Sequence, residues 1–196
     1  MIKDKNLIPF VFGLCPLIPA SSNFAYGIVL SVCVWILFFG GLVSGTVSGF
    51  MNIKKSEKQI TAVLIVFVTV FLNFLFQGLF PIIQGAIQNY IYILGISYII
   101  YICIDNYQKN SEEIEIPVFY SVLILIFGFL REVFAFGSVS FPVPSGFFTL
   151  KLPFFYENPP LRFLGTNAGA LIFLGFCSWI YISVKQGKIL SFKRSE

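Results

Sequence analysis

The sequence contains no histidine in its 196 residues. That absence excludes His-ligated haem, His-bound zinc or copper, and imidazole general-base chemistry. Charge is scarce too: Asp, Glu, Lys and Arg make up 11% of the chain, against about 25% in a soluble domain. What fills the chain instead is apolar, 57% of residues. Apolar runs of about 20 residues recur, the length that crosses a hydrocarbon core of about 30 Å. The chain therefore reads as an integral protein of the lipid bilayer. A β-barrel would show alternating segments of about 10 residues, and these runs are continuously apolar. The net charge of +4 sits in short loops and tails. It bears on orientation in a membrane, and nucleic acid is not an expected partner.

Four cysteines are present: Cys15, Cys33, Cys103 and Cys177. They lie inside apolar segments or, for Cys103, near the end of one, so a secreted disulfide framework is not expected. Lys3 and Lys5, an apolar stretch and Ala20-Ser21-Ser22 raise the question of a signal peptide. Pro9, Pro16 and Pro19 interrupt that stretch, and Leu14 stands where a lipoprotein signal needs a small residue. The expectation is an uncleaved N-terminus.

Residues 7–20 hold three prolines and Gly13. Proline removes a helical hydrogen bond and clashes with the preceding turn, so the pattern predicts a half-helix with open backbone near Cys15, covered by protein. Residues 24–51 predict a long helix with a small-residue stripe at Gly41, Gly45 and Gly49. Lys54, Lys55 and Lys58 follow and read as cytoplasmic. Residues 60–80 predict a helix stopped by Pro81, with Asn73 and Gln77 on one face as interhelical hydrogen-bonding groups. Residues 82–103 begin with Gln84, Gly85, Gln88 and Asn89, too polar for a lipid-facing span, and predict a short or broken helix ending at Cys103. An acidic loop at 105–115 precedes an apolar run, 117–130, closed by Arg131-Glu132. Five prolines in 137–160 predict a loop, re-entrant in form, and 163–184 a last helix before a basic tail.

These segments form a single transmembrane domain, 1–196. The expected fold class is an all-α integral membrane protein. Six transmembrane segments make two inverted three-helix repeats, about 1–80 and 81–196, the first segment of each broken or half-length. The lysines place both termini in the cytoplasm. Broken helices in inverted repeats meet near the midplane and form sites there.

A lone membrane cysteine is ordinarily a small apolar packing residue, and Cys33 and Cys177 are read so. Cys15 and Cys103 differ, since each sits in the irregular first segment of its half. Their expected role is metal ligation, with Gly13, Leu14 and Pro16 as the cofactor-binding backbone around Cys15. A [2Fe–2S] cluster takes four thiolates, so a partner chain must supply the other two. Freed backbone N–H groups and inward helix N-termini would offset the cluster's negative charge. The ordinary reading of Arg131 and Glu132 is an interfacial ion pair or anchor. The functional one is that they fix the re-entrant loop or a partner contact.

Phe12-Gly13-Leu14-Cys15-Pro16-Leu17-Ile18 with Ser22-Asn23 resembles the opening of the NqrDE/RnfAE family of membrane subunits. Ile96 to Cys103 is similar to the family's second cysteine segment. Gly128-Phe129-Leu130-Arg131-Glu132-Val133 is similar to its G-x-x-R-E-[IV] motif, and Gly169-Ala170-Leu171-Ile172 with Leu174-Gly175 to its final helix. The likeness is to the RnfE/NqrD branch. It departs at Ile102, where the family has Asn, and at Asn73, where a carboxylate is common. The resemblance implies a six-helix subunit of the bacterial inner membrane. Such a subunit pairs with an RnfA/NqrE-like sister inside an Rnf or Na⁺-NQR electron transport complex. The two would share one [2Fe–2S] cluster, for which Cys15 and Cys103 would be this chain's ligands. It would be part of a translocase or oxidoreductase without a complete active site of its own. The alternatives left open are a cofactor-free transporter or channel on inverted repeats, and a purely structural assembly subunit.

Overall fold

The computed structural model describes residues 22–50, 57–104, 114–153, 156–157, 159–176, 179 and 183. Gly13, Leu14, Cys15 and Pro16, the half-helix expected over 7–20, residues 51–56 and 105–113 of the lysine-rich and acidic loops, Cys177 and the basic tail lie outside the described residues. The described chain is mostly helical. Its elements run α1 (Phe24–Phe50), α2 (Glu57–Leu79), α3 (Pro81–Ile104), α4 (Glu115–Phe136), β1 (Ser138–Val143), β2 (Gly146–Lys151), a 3₁₀ turn (Arg162–Gly165) and α5 (Asn167–Phe176). Among the described residues, three helical stretches are long and apolar enough to cross a membrane: Phe24–Val47, Lys58–Leu79 and Pro117–Phe136. The chain thus has the character of a membrane-associated protein.

Helix α1 is the hub, and α2, α3, α4 and β1 all touch it. Gly40 meets Val68 and the Ser44 hydroxyl donates to Thr61 Oγ1 at 2.8 Å, so α2 runs antiparallel to α1. Gly27 lies against Ile124 and Phe24 against Phe129, so α4 is antiparallel as well. Thr69 faces Gly95, and Gly41 faces Tyr98, which places α3 antiparallel to α2 and parallel to α1. Side chains at Gly41 or Gly95 would collide with Tyr98 and Thr69, which is how small residues let membrane helices approach. The core between the helices holds Leu30, Cys33 and Leu37 of α1, Ile65 and Leu72 of α2, and Ile83, Ile87 and Ile91 of α3. The outward face of α2 carries exposed Val63, Phe67 and Phe74. An apolar outer face suits lipid and not water.

The expected helices at 24–51 and 60–80 match α1 and α2. Three other expectations are corrected. Residues 82–103 are not a broken segment: α3 is continuous over 24 residues. Pro81 starts it, where a missing N–H costs nothing, and Gln84 is buried against α2 rather than left facing lipid. Helix α4 does not close at Arg131-Glu132 but continues to Phe136, ending on Gly137 at φ 64°. Left-handed backbone there suits glycine.

Residues 138–151 are a β-hairpin, so the fold is not purely α. Pro142 lies opposite Phe147, and Pro144-Ser145 makes the turn between Val143 and Gly146. In a two-stranded sheet both strands are edges, so proline is tolerated.

Candidate functional site

The most heavily bonded polar group of the described chain is the Arg131-Glu132 pair. Both side chains are buried, Arg131 wholly and Glu132 to 2% exposure. Glu132 Oε2 accepts the backbone N–H of Phe24 at 2.6 Å and the Ser140 hydroxyl at 2.7 Å. Its Oε1 accepts the Ser138 hydroxyl at 3.3 Å. Ser140 Oγ in turn accepts the N–H of Ala25 at 3.3 Å. The period of two along β1 puts Ser138 and Ser140 on one side of the strand, where both reach the carboxylate.

Helix α1 therefore begins on Glu132. Its first N–H groups, which no helical carbonyl can satisfy, go to Glu132 and Ser140, and those of Tyr26 and Gly27 go to Asn23 O. A carboxylate at this end is also favoured by the helix dipole. Phe24 is held between Phe129 and Phe141, each edge-on with centroids at 5.8 Å.

Arg131 points the other way. Its Nε donates to Leu164 O at 3.0 Å, and Nη2 to Gly165 O at 3.5 Å and Thr166 O at 3.3 Å. These carbonyls end the 3₁₀ turn, and Thr166 Oγ1 accepts the Gly169 N–H at 3.1 Å to open α5. Gly165 sits against Phe136, and Gly169 against the Phe163 carbonyl, with no room for a side chain at either. Adjacent residues on one helix thus grip two elements far apart in sequence. Donors meet the carboxylate and carbonyls meet the guanidinium, an arrangement that anchors chain.

Phe24, which follows Ser22-Asn23, bonds Glu132 of the Gly128 to Val133 stretch, and Arg131 of the same stretch holds the turn that leads to Gly169; Phe12 to Ile18 lies outside the described residues. The stretch ending at Cys103 does not meet them. That residue lies in the last turn of α3, at the end of the bundle remote from Glu132, and its side chain is not described. Because Cys15 is outside the described residues, the two thiols are neither brought together nor held apart by them. Cys33 is buried in the apolar core of α1, as a packing residue should be. Among the described residues no group of three or more His, Cys, Asp or Glu could hold a metal alone.

Sequence reasoning read Arg131 and Glu132 first as an interfacial ion pair or anchor, and only second as residues that fix the segment after them; both side chains are buried, and their bonds run to Ser138, Ser140 and Leu164. It missed Ser138 and Ser140, and the tie to Phe24. The alternation Ser-Val-Ser-Phe from 138 to 141 was the available signal.

No protein-family model matches the chain. No solved structure matches it either. A protein of Treponema pallidum (strain Nichols), described as an uncharacterized protein, is 32% identical over 173 residues, covering 88% of this chain and 87% of that protein. The chain belongs to one family with the Treponema protein.

Proposed function

We propose that this chain is a membrane subunit of an electron transport complex of the Rnf or Na⁺-NQR type. In this reading it has six spans in two inverted repeats and resides in a bacterial inner membrane with both termini cytoplasmic. Cys15 and Cys103 supply half the ligands of a [2Fe–2S] cluster, and an RnfA/NqrE-like sister subunit supplies the rest. The cluster's contribution is a one-electron relay inside the bilayer, which divides a crossing of about 30 Å into shorter hops.

One observation carries the reading: the hydrogen bond from Phe24 N–H to Glu132 Oε2. It ties the stretch that follows the Gly13-Leu14-Cys15-Pro16 motif to the Arg-Glu motif, 108 residues away in sequence. Stretches that resemble one family's motifs, and are joined in space, support common descent better than the same stretches scattered. The junction's work in this reading is positional. Glu132 and Ser140 fix where α1 begins, and so where the chain bearing Cys15 enters the bundle.

The test is metal. The chain is isolated anaerobically with its sister subunit, iron is counted, and the reduced sample is examined by EPR. A rhombic [2Fe–2S] signal is expected, lost on Cys15→Ser and on Cys103→Ser while the complex stays assembled. An intact complex without iron refutes the reading and leaves a cofactor-free transporter in its place.

A further inference from the structure

The attachments of the β-hairpin fix its depth. Gly137 joins β1 directly to Phe136, the last residue of the membrane-length stretch Pro117–Phe136. The membrane-length stretch Phe24–Val47 begins against the same strand, where Ser140 Oγ accepts from Ala25 N–H at 3.3 Å. Tyr26 meets Phe147 of β2 edge-on, with centroids at 5.4 Å, and Ile82 in the first turn of α3 lies beside Gly146. Two membrane-length stretches therefore end on one hairpin. Such stretches end where hydrocarbon ends. The hairpin accordingly lies at the boundary of the bilayer, at the end of the bundle remote from Lys58.

The two sides of the hairpin differ in chemistry. Ser138, Ser140 and Thr149 share the side that meets Glu132, since Ser140 stands opposite Thr149. The other side is apolar throughout: Val139 stands opposite Leu150, Phe141 opposite Phe148, and Val143 opposite Gly146. Phe141, Phe148 and Leu150 on that side are exposed. A hairpin with one face in water carries its polar residues on that face; here the outward side carries none. This side also continues the outer surface of the helices. Phe24 touches exposed Phe129 of α4 and exposed Phe141 of β1 together, with both centroid distances 5.8 Å. The backbone limits the depth. The sheet has two strands, and among the described residues none pairs with the far edge of β2. The N–H and C=O groups along that edge need water or headgroups, because hydrocarbon offers no hydrogen bond. Apolar side chains on one side and open backbone along an edge are satisfied together only at the interface. Lys151 and Tyr156, both exposed and with the ammonium 4.5 Å from the ring centroid, are residue types that collect there.

We propose that the hairpin face made by Val139, Phe141, Phe148 and Leu150 is a lipid-binding surface. It lies on the glycerol end of phospholipid acyl chains and holds the ends of α1 and α4 at the bilayer boundary. The partner is phospholipid and not another protein. The inference rests on where the membrane-length stretches end and on how the two strands pair. No thiol, cluster or sister subunit enters it, so it stands or falls apart from the function proposed above.

The full chain in native membranes, with whatever subunits accompany it, is irradiated with a phosphatidylcholine that carries a diazirine at the glycerol end of one acyl chain. Exposed Phe136, at the end of its membrane-length stretch, serves as the reference. Phe148 and Leu150 should take the label, and Thr149 between them, pointing to the other side of the strand, about threefold less. Label on Phe136 with none on Phe148 or Leu150 overturns the proposal, whether water or protein covers the face. Label spread evenly over 148, 149 and 150 overturns it as well. As a second readout, Phe148→Cys and Thr149→Cys are treated with a charged maleimide admitted to both faces of the membrane, and modification is read on the hairpin peptide by mass spectrometry. Both positions are exposed, so neither substitution removes a core contact. Lipid cover should slow the Phe148→Cys variant about tenfold relative to Thr149→Cys, because apolar surroundings suppress the reactive thiolate. Equal rates place the face in water and refute the surface. A slow Phe148→Cys variant with no lipid label at Phe148 or Leu150 in the parent assigns the cover to protein and refutes it too.

Discussion

Replacing Glu132 tests the junction most directly. The carboxylate accepts from Phe24 N–H, Ser140 Oγ and Ser138 Oγ. Hydrogen bonds to a charged group contribute about 1.5–3 kcal/mol each, and neutral ones about 0.5–1.5. Glu132→Gln keeps the shape and one accepting oxygen, but turns an amide NH₂ toward at least one donor. The expected loss is about 1–2 kcal/mol, mostly the difference between charged and neutral bonds. Glu132→Ala removes the acceptors altogether. The serine hydroxyls can rotate, but the Phe24 N–H cannot, so one buried donor is stranded beside a small cavity. Removing one member of a buried charged network costs about 3–5 kcal/mol, and that is the expectation for Ala. The assay uses Cys33, which is fully buried in the core. With Cys15, Cys103 and Cys177 replaced by Ser, thiol-reactive dye reports unfolding at Cys33 alone as detergent-solubilised chain is heated or denatured. The losses should rank Ala above Gln, and amide exchange at Phe24 and Ala25 should quicken in both. Stability within about 0.5 kcal/mol of the parent for Ala, the scatter of ordinary surface changes, would refute the reasoning. So would unchanged exchange at the start of α1.

Arg131→Lys should lose about 2 kcal/mol, because a single ammonium cannot span the carbonyls of Leu164, Gly165 and Thr166 as the guanidinium fork does; limited proteolysis between 152 and 166 should speed up before the helices open. Gly95→Ala should destabilise the α2–α3 contact by about 1–3 kcal/mol through overpacking on Thr69. Adding Thr69→Ala should recover part of that loss, and the double-mutant cycle in the same unfolding assay checks it. Cys33→Ala should cost about 1 kcal/mol of packing and leave the iron content of the complex unchanged; loss of iron in that variant would place the thiol outside a packing role.

Helix position was legible where hydrophobic length alone decides it, and α1 and α2 lie within three residues of the expected bounds. Where polar residues interrupt, the sequence does not say who satisfies them. Gln84 and Gln88 looked like a break in α3 because no partner was visible, whereas Asn73, 11 positions before Gln84, supplies one across the hairpin. Pro142 and Pro144 hid the β-hairpin for a similar reason. Proline counts against strands in general, yet here one stands on an edge and the other in the turn. The Arg131-Glu132 pair was legible in kind but not in partners. Two charges at the end of an apolar run suggest the membrane surface, and the alternation that brings Ser138 and Ser140 back to Glu132 exists only once the chain reverses at Gly137.

The junction also separates two ways of losing function. If Glu132 sets the start of α1, its replacement shifts the chain that leads back to Cys15 without touching any thiol. Iron binding in Glu132→Gln should then be weaker but recoverable: cluster content falls while Cys15 stays reactive, and stabilising the bundle elsewhere restores it. Replacement of Cys15 by Ser should do the reverse, removing iron while the complex stays assembled. A purely structural subunit predicts a different pair of results, since Glu132→Gln would weaken assembly and Cys15→Ser would change nothing. Measuring iron and assembly on both variants therefore distinguishes a positioned ligand from a scaffold. The discrimination depends on the clamp being saturated within this chain, since a carboxylate already holding Phe24, Ser138 and Ser140 has its strong donors in hand and acts on any metal only through where it puts the backbone.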